Sequence, residues 1–182
     1  MEMRDDEARL VYLRFALQCC DSPINRVHIS VEEEETAIGL VSQGKLPERG
    51  FEKKFRQAYA VCTIIAKEMG KEEIDSEVVL RYFLQLHNPN LDRDLEMGYT
   101  FRDSVDCKTY PGKIKKIDDD SAVVDTPVGE IVCRRVFALD LKEGALVAVH
   151  RNTIAIPISE AMARTIEGTL KNDTREKLRG VF

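Results

Sequence analysis

The chain has 182 residues, with 27 basic and 32 acidic side chains, a net charge of −5 and 43% hydrophobic residues. This is enough apolar content for a core. It gives no basic excess for gripping a phosphate backbone, and the 7% of aromatics without tryptophan offer few stacking platforms for bases. No apolar run approaches the ~20 residues that a membrane span needs.

The polar, acidic start, MEMRDDEARL, reads as neither a signal nor a transit peptide. With five cysteines and no secretory signal, the expectation is a cytoplasmic protein with reduced thiols. Ala8, Val11, Tyr12, Phe15 and Cys19 then recur at helical spacing, and Leu10, Leu13, Leu17 and Cys20 widen that stripe. Asp21-Ser22-Pro23 is expected to end this first helix, because the residue before a proline resists the α region. A second helix begins at Ser30, whose hydroxyl and Glu33 form the two halves of a capping box. Glu32 to Glu35 suit its positive end as a solvated start, and Gly44 suits its stop. A third is expected from Phe51, with Phe55, Ala58, Cys62, Ile65 and Met69 on one face and Gly70 closing it. Asp75 caps a fourth, SEVVLRYFLQLH, expected to stop before Asn88-Pro89. Four helices with short connections predict a helical bundle over residues 1–87. Residues 88–106 are polar without a sustained period and read as a linker.

Beyond Cys107 the pattern changes to β. KIKKID, SAVVDT, EIVCRRV, ALVAVH and TIAIPI are five short segments rich in Val and Ile, separated by turn residues, with Asp118 to Asp120 in the first turn. Such strands predict a small barrel. SEAMARTIEGTL returns to helix, with Ser159 as N-cap and Met162, Ile166 and Leu170 on one face. The fold class is therefore α+β in two domains: helices over 1–87, a linker over 88–106, and a five-stranded barrel with a C-terminal helix over 107–182.

Phosphate loops, dinucleotide turns, paired Cys-x-x-Cys motifs and nucleophile elbows are all absent from the sequence. No acid–base or nucleophile–base pair is visible either, so no catalytic residue is assigned and a non-enzymatic role is expected. Cys107 is the leading candidate for chemistry. A thiolate is a soft ligand for iron, copper or zinc, and Lys108 and Lys113 are placed to favour its ionised form. Pro111-Gly112 is expected to make a turn just after it. His150, at the tip of a predicted hairpin, is a candidate metal ligand or proton acceptor, set against the plainer reading of an exposed turn histidine. His28 and His87 read as helix-terminal polar residues. Cys19, Cys20 and Cys62 read as core, and Cys133 as strand packing.

The stretch CKTYPGKIKKIDDDSAVVD, with Cys107, Pro111, Gly112 and Lys113 in order, resembles the start of the HypC/HupF/HybG family of hydrogenase-maturation chaperones. LKEGALVAVHRNTIAIPISEAMARTIEGTL is similar to that family's second half, through Gly144, Val149, His150 and Glu160. The resemblance covers about residues 106 to 171. It implies an OB-like barrel and a chaperone that delivers an iron–cyanide–carbonyl unit to the large subunit of a nickel–iron hydrogenase. It implies as partners that subunit's precursor and a HypD-like scaffold protein. Cys107 and His150 would be the metal ligands, Cys107 holding iron transiently, and Lys108, Tyr110, Pro111, Gly112 and Lys113 the partner-binding surface. Three departures stand out: the cysteine follows Asp106 rather than an initiator methionine, Lys108, Thr109 and Tyr110 replace the usual small apolar residues, and the interval between His150 and Ala155-Ile156 is one residue longer than usual. The other reading is a protein–protein interaction module of unknown client, with a HypC-like barrel and no metal chemistry.

Overall fold

The computed structural model describes residues 1–20, 27–96, 107–137 and 139–170, without the side chains of 94–96. The stop expected at 21–23 and the part of the expected linker at 97–106 lie outside the described residues. The chain is α+β and divides into two compact units, Met1–Tyr82 with Arg135–Asp140, and Phe83–Arg134 with Leu141–Phe182. Among the described residues, no helix is long and apolar enough to cross a membrane.

In the first unit, α1 (Asp6–Ala16) runs on as a 3-10 turn, Leu17–Cys19. The Asp5 carboxylate caps α1, accepting from the amides of Glu7 and Ala8. The second helix, α2 (Val31–Ser42), carries the expected capping box: the Ser30 hydroxyl accepts from the Glu33 amide, and Glu33 accepts from the Ser30 amide. Phe51 begins a 3-10 turn, Phe51–Lys54, rather than an α-helix. The chain then breaks at Phe55, and α3 spans Arg56–Glu68. Asp75 caps α4 (Ser76–Arg81) by accepting from the Val78 amide. The core gathers Tyr12, Leu13, Phe15, Val41, Phe55, Cys62, Ile65, Ile74, Val78 and Val79, all buried. Phe55 meets Phe51 and Tyr12 edge-on, at ring separations of 6.1 and 6.2 Å.

The second unit corrects the reading of 88–96 as linker. A π turn, Tyr82–Leu86, is followed by α5 (His87–Glu96), which includes Asn88 and Pro89. The π turn interrupts the regular ladder just ahead of Pro89. The proline then falls in the first turn of α5, where its missing amide and its ring are tolerated.

The strands are β1 (Thr109–Ile117), β2 (Ser121–Thr126), β3 (Gly129–Arg134), β4 (Leu146–His150) and β5 (Thr153–Pro157). They form one mixed sheet in the order β1-β2-β3-β5-β4, which closes because β1 pairs with both β2 and β4. All pairings are antiparallel except β3 with β5. Asp118 to Asp120 are exposed between β1 and β2. Arg151 and Asn152 join β4 to β5 with φ of 47° and 56°, the double left-handed pair of a tight hairpin. Ser159 caps α6 (Glu160–Thr169), which packs on β1 and β4.

Pro111-Gly112 is not a turn. Both residues lie inside β1, opposite Ala148 and Val147 of β4. The pairing of β1 with β2 begins only at Lys113, so Pro111 sits where one side of the strand makes no ladder and a missing donor is harmless. Gly112 answers a steric need. A Cβ there would stand 2.3 Å from Val124 Cγ1 and 3.1 Å from both the Asp125 carbonyl oxygen and Thr126 Cγ2. Gly112→Ala is therefore expected to cost about 1 to 3 kcal/mol through overpacking. Urea unfolding checks this, and an unchanged midpoint would mean that β1 and β2 do not approach so closely.

Candidate metal centre

His150 is the last residue of β4. It lies directly opposite Thr109 of β1 and Thr153 of β5. Residues facing one another across a ladder project to the same side, so the row Thr109–His150–Thr153 shares one face, and all three are fully buried. Cys107 stands two residues before Thr109 and is half-buried. Its Sγ lies within 4.8 Å of a ring nitrogen of His150. The structure thus brings together the two residues singled out as ligands. The plainer reading of His150 as an exposed turn residue is corrected: its backbone ends the strand, but its ring is enclosed.

Helix α5 supplies three side chains to this region. The His87 ring meets that of His150 edge-on, with centroids 5.1 Å apart. Asn88 grips the first residue of β1 from both sides: its Nδ2 donates to the Thr109 carbonyl at 2.9 Å, and its Oδ1 accepts from the Thr109 amide at 2.8 Å. Asn88 Nδ2 also donates to Thr169 Oγ1 at 2.9 Å. Asp92 pairs with Lys108, oxygen to nitrogen 2.9 Å, and both are buried.

These surroundings set the charge states. Burial pushes the His150 pKa well below its ordinary value, and the neighbouring His87 and Arg151 push in the same direction. Burial takes His87 down to about 4, against a smaller upward pull from its hydrogen bond with Asn88. Both imidazoles are therefore neutral near pH 7, the form that ligates a metal. His150 accordingly gives the Cys107 thiol no positive charge, and Lys108 directs its ammonium to Asp92. The hydroxyls of Thr109 and Thr153 are buried with no hydrogen-bond partner among the described residues. Polar atoms held in this way beside a thiol and a neutral imidazole fit a polar ligand. The S and N donors suit iron, zinc or copper, and nothing in the set identifies iron. Of the expected partner-binding residues, Lys108, Tyr110, Pro111 and Gly112 are buried and only Lys113 is exposed. The start of β1 is enclosed on both faces rather than alternating, with α6 packed on the strand and Asn88 and Asp92 of α5 against Thr109 and Lys108. Cys20, Cys62 and Cys133 are buried as expected, but Cys19 is only half-buried. The five cysteines form no disulfide.

Comparison of the chain with protein-family models, with curated proteins and with solved structures gave no match.

His87 was read as a helix-terminal residue, and Asn88 and Asp92 as linker. Their joint role follows from α5, which a first-turn reading of Pro89 would have revealed. The buried neutral histidines have a cost at acid pH. The unfolded chain binds protons at both rings below about pH 6.5, while the folded chain resists until near pH 4 at His87 and until well below the ordinary histidine range at His150. Stability therefore falls as pH drops from about 6.5 towards 4. The depression at His87 alone corresponds to roughly 3 kcal/mol. Urea midpoints measured between pH 7.5 and 4 should show this decline, and it should be visibly shallower in His87→Phe. Equal slopes would refute the assignment.

Proposed function

We propose that the protein is a HypC-like metallocentre-assembly chaperone that carries an iron–cyanide–carbonyl unit as cargo between Cys107 and His150. Its client is the large-subunit precursor of a nickel–iron hydrogenase, and a HypD-like scaffold protein is its second partner. The observation that carries the reading is the approach of the Cys107 sulfur to within 4.8 Å of a nitrogen of buried His150, which the pKa of that ring keeps neutral. Two further features support it. The closed strand order β1-β2-β3-β5-β4 supports an OB-like barrel, and Pro111 and Gly112 of the resembling stretch each answer a constraint in β1. In this reading the chain catalyses nothing; it holds the cargo and releases it to a partner. Lys113, exposed beside the motif, is the contact residue that remains available.

The test is co-expression with candidate hydrogenase precursor and HypD-like partners, followed by pull-down and infrared spectroscopy. Cyanide and carbonyl bands should accompany the wild type and vanish in Cys107→Ser, with the mutant's melting temperature close to wild type. In the metal-free protein Cys107 should alkylate ahead of Cys62 and Cys133, whose thiols burial pushes up to about 12. Partner capture without bands, identical in Cys107→Ser, would instead establish the interaction-module reading with an inert cysteine.

A further inference from the structure

α5 lies outside the stretch that resembles the chaperone family, yet it supplies the groups that touch the candidate ligands and their flanks. It contributes one side chain to each of three neighbouring positions: His87 to His150, Asn88 to Thr109 and Asp92 to Lys108. Asn88 and Asp92 act on the strand that follows Cys107. His87 acts on the other candidate ligand itself. It is the first residue of α5, it is buried, and its ring sits against Phe83 at 5.8 Å and tilted by 34°. It also approaches the His150 ring edge-on, at 78° between ring planes, and hydrogen-bonds with Asn88.

An imidazole at a strand end is attached through two rotatable bonds. A ligand ring free to turn loses affinity, because binding must then freeze the rotation. The backbone of His150 is fixed by the ladder to Thr109 and Thr153, but that ladder does not fix the ring. We propose that His87 is a positioning residue: its ring, held against Phe83 at the start of α5, locks the His150 imidazole in the orientation that presents a nitrogen to Cys107 Sγ. The inference rests on the reading of Cys107 and His150 as ligands, and adds a third residue that need not touch the metal.

Cobalt(II) is the probe, added to the full-length metal-free protein, because a cobalt–thiolate bond gives a near-ultraviolet band and the visible spectrum reports ligand geometry. Wild type should show the thiolate band, and Cys107→Ser should lose it. His87→Leu fills the space without a ring and is expected to bind cobalt 10- to 100-fold more weakly, with a changed visible spectrum. His87→Phe restores a flat ring and should return affinity and spectrum towards wild type. Ile114→Val, a packing change elsewhere in the sheet, should lower the melting temperature and leave both unmoved. Equal affinity and spectrum in wild type and His87→Leu would overturn the positioning role while leaving the ligand pair intact. A wild type without a thiolate band would overturn the ligand pair and the positioning role together. In the metal-free protein, nitrogen NMR of the His150 ring should differ between wild type and His87→Leu. Identical ring signals would also overturn the proposal, whatever the metal result.

Discussion

Glu52→Ala is expected to destabilise the helical unit by about 3 to 5 kcal/mol, the usual cost of stranding one half of a buried ion pair. Glu52 and Arg9 are both almost wholly buried, and the Arg9 Nε donates to Glu52 Oε1. The remaining groups of the pair are satisfied. Arg9 Nη2 donates to the carbonyls of Pro47 and Glu48 at 2.9 and 3.0 Å, and Glu52 Oε2 accepts from the Gly50 amide at 3.0 Å. The pair thus ties α1 to the irregular 47–52 segment, which has no helical hydrogen bonds of its own until Phe51. Removing the carboxylate leaves a guanidinium in the interior with two carbonyls and, 3.6 Å from its Nη1, the exposed carboxylate of Asp6, too well hydrated to replace a buried partner. Removing both charges is a different matter. Arg9→Met combined with Glu52→Leu fills similar space without either desolvation cost, and should recover most of the loss. Urea unfolding of the two variants decides the point. A single mutant within about 1 kcal/mol of wild type would mean that water reaches Arg9.

Elements governed by nearest neighbours were legible in the sequence; those governed by distant ones were not. The capping box at Ser30 and Glu33, the cap at Asp75 and the left-handed glycines 44 and 70 each depend on a few adjacent residues, and each appears where the spacing placed it. The five β segments were legible for the same reason, because period-two runs broken by turn residues are local. Pro89 and Pro111 show the limit. Proline was read at both places as a breaker or turn former. In each case the chain instead puts it at a position that lacks a ladder bond: the first turn of α5 and the unpaired side of β1. Nothing in a linear pattern shows which backbone groups are already without partners.

The candidate site divides along the same line. Cys107 and His150 were singled out by residue type and by the family resemblance. Their approach comes from the register of β1 on β4, where Thr109 meets His150. His87, Asn88 and Asp92 carry no chemical signature, and they act only because α5 lies against the strand ends. The burial of Lys108 also escaped a reading based on charge, which puts lysines at the surface; Asp92 makes its burial possible.

Asn88→Ala carries the largest expected effect within the second unit, about 2 to 6 kcal/mol, because it orphans both the amide and the carbonyl of buried Thr109 at roughly 1 to 3 kcal/mol each. The side chain acts as a one-residue strand, offering Thr109 the donor and acceptor that a neighbouring strand would otherwise supply. It also donates to Thr169 at the end of α6, so one amide links α5, β1 and α6. Asn88→Asp separates the contributions. A carboxylate still accepts from the Thr109 amide, but sets a negative charge against the Thr109 carbonyl and has no proton for either acceptor, so most of the loss should remain. The consequence for the candidate site is specific. With its anchor gone, the start of β1 should open locally before the sheet unfolds, and Cys107 precedes that anchor by two residues. Hydrogen exchange at the Thr109 amide should accelerate in Asn88→Ala, and native-state alkylation of Cys107 should quicken while Cys20 and Cys62, in the other unit, keep their rates. If Thr109 stays protected and Cys107 reacts at its wild-type rate, the strand end is held by the sheet alone and α5 has no part in shaping the site.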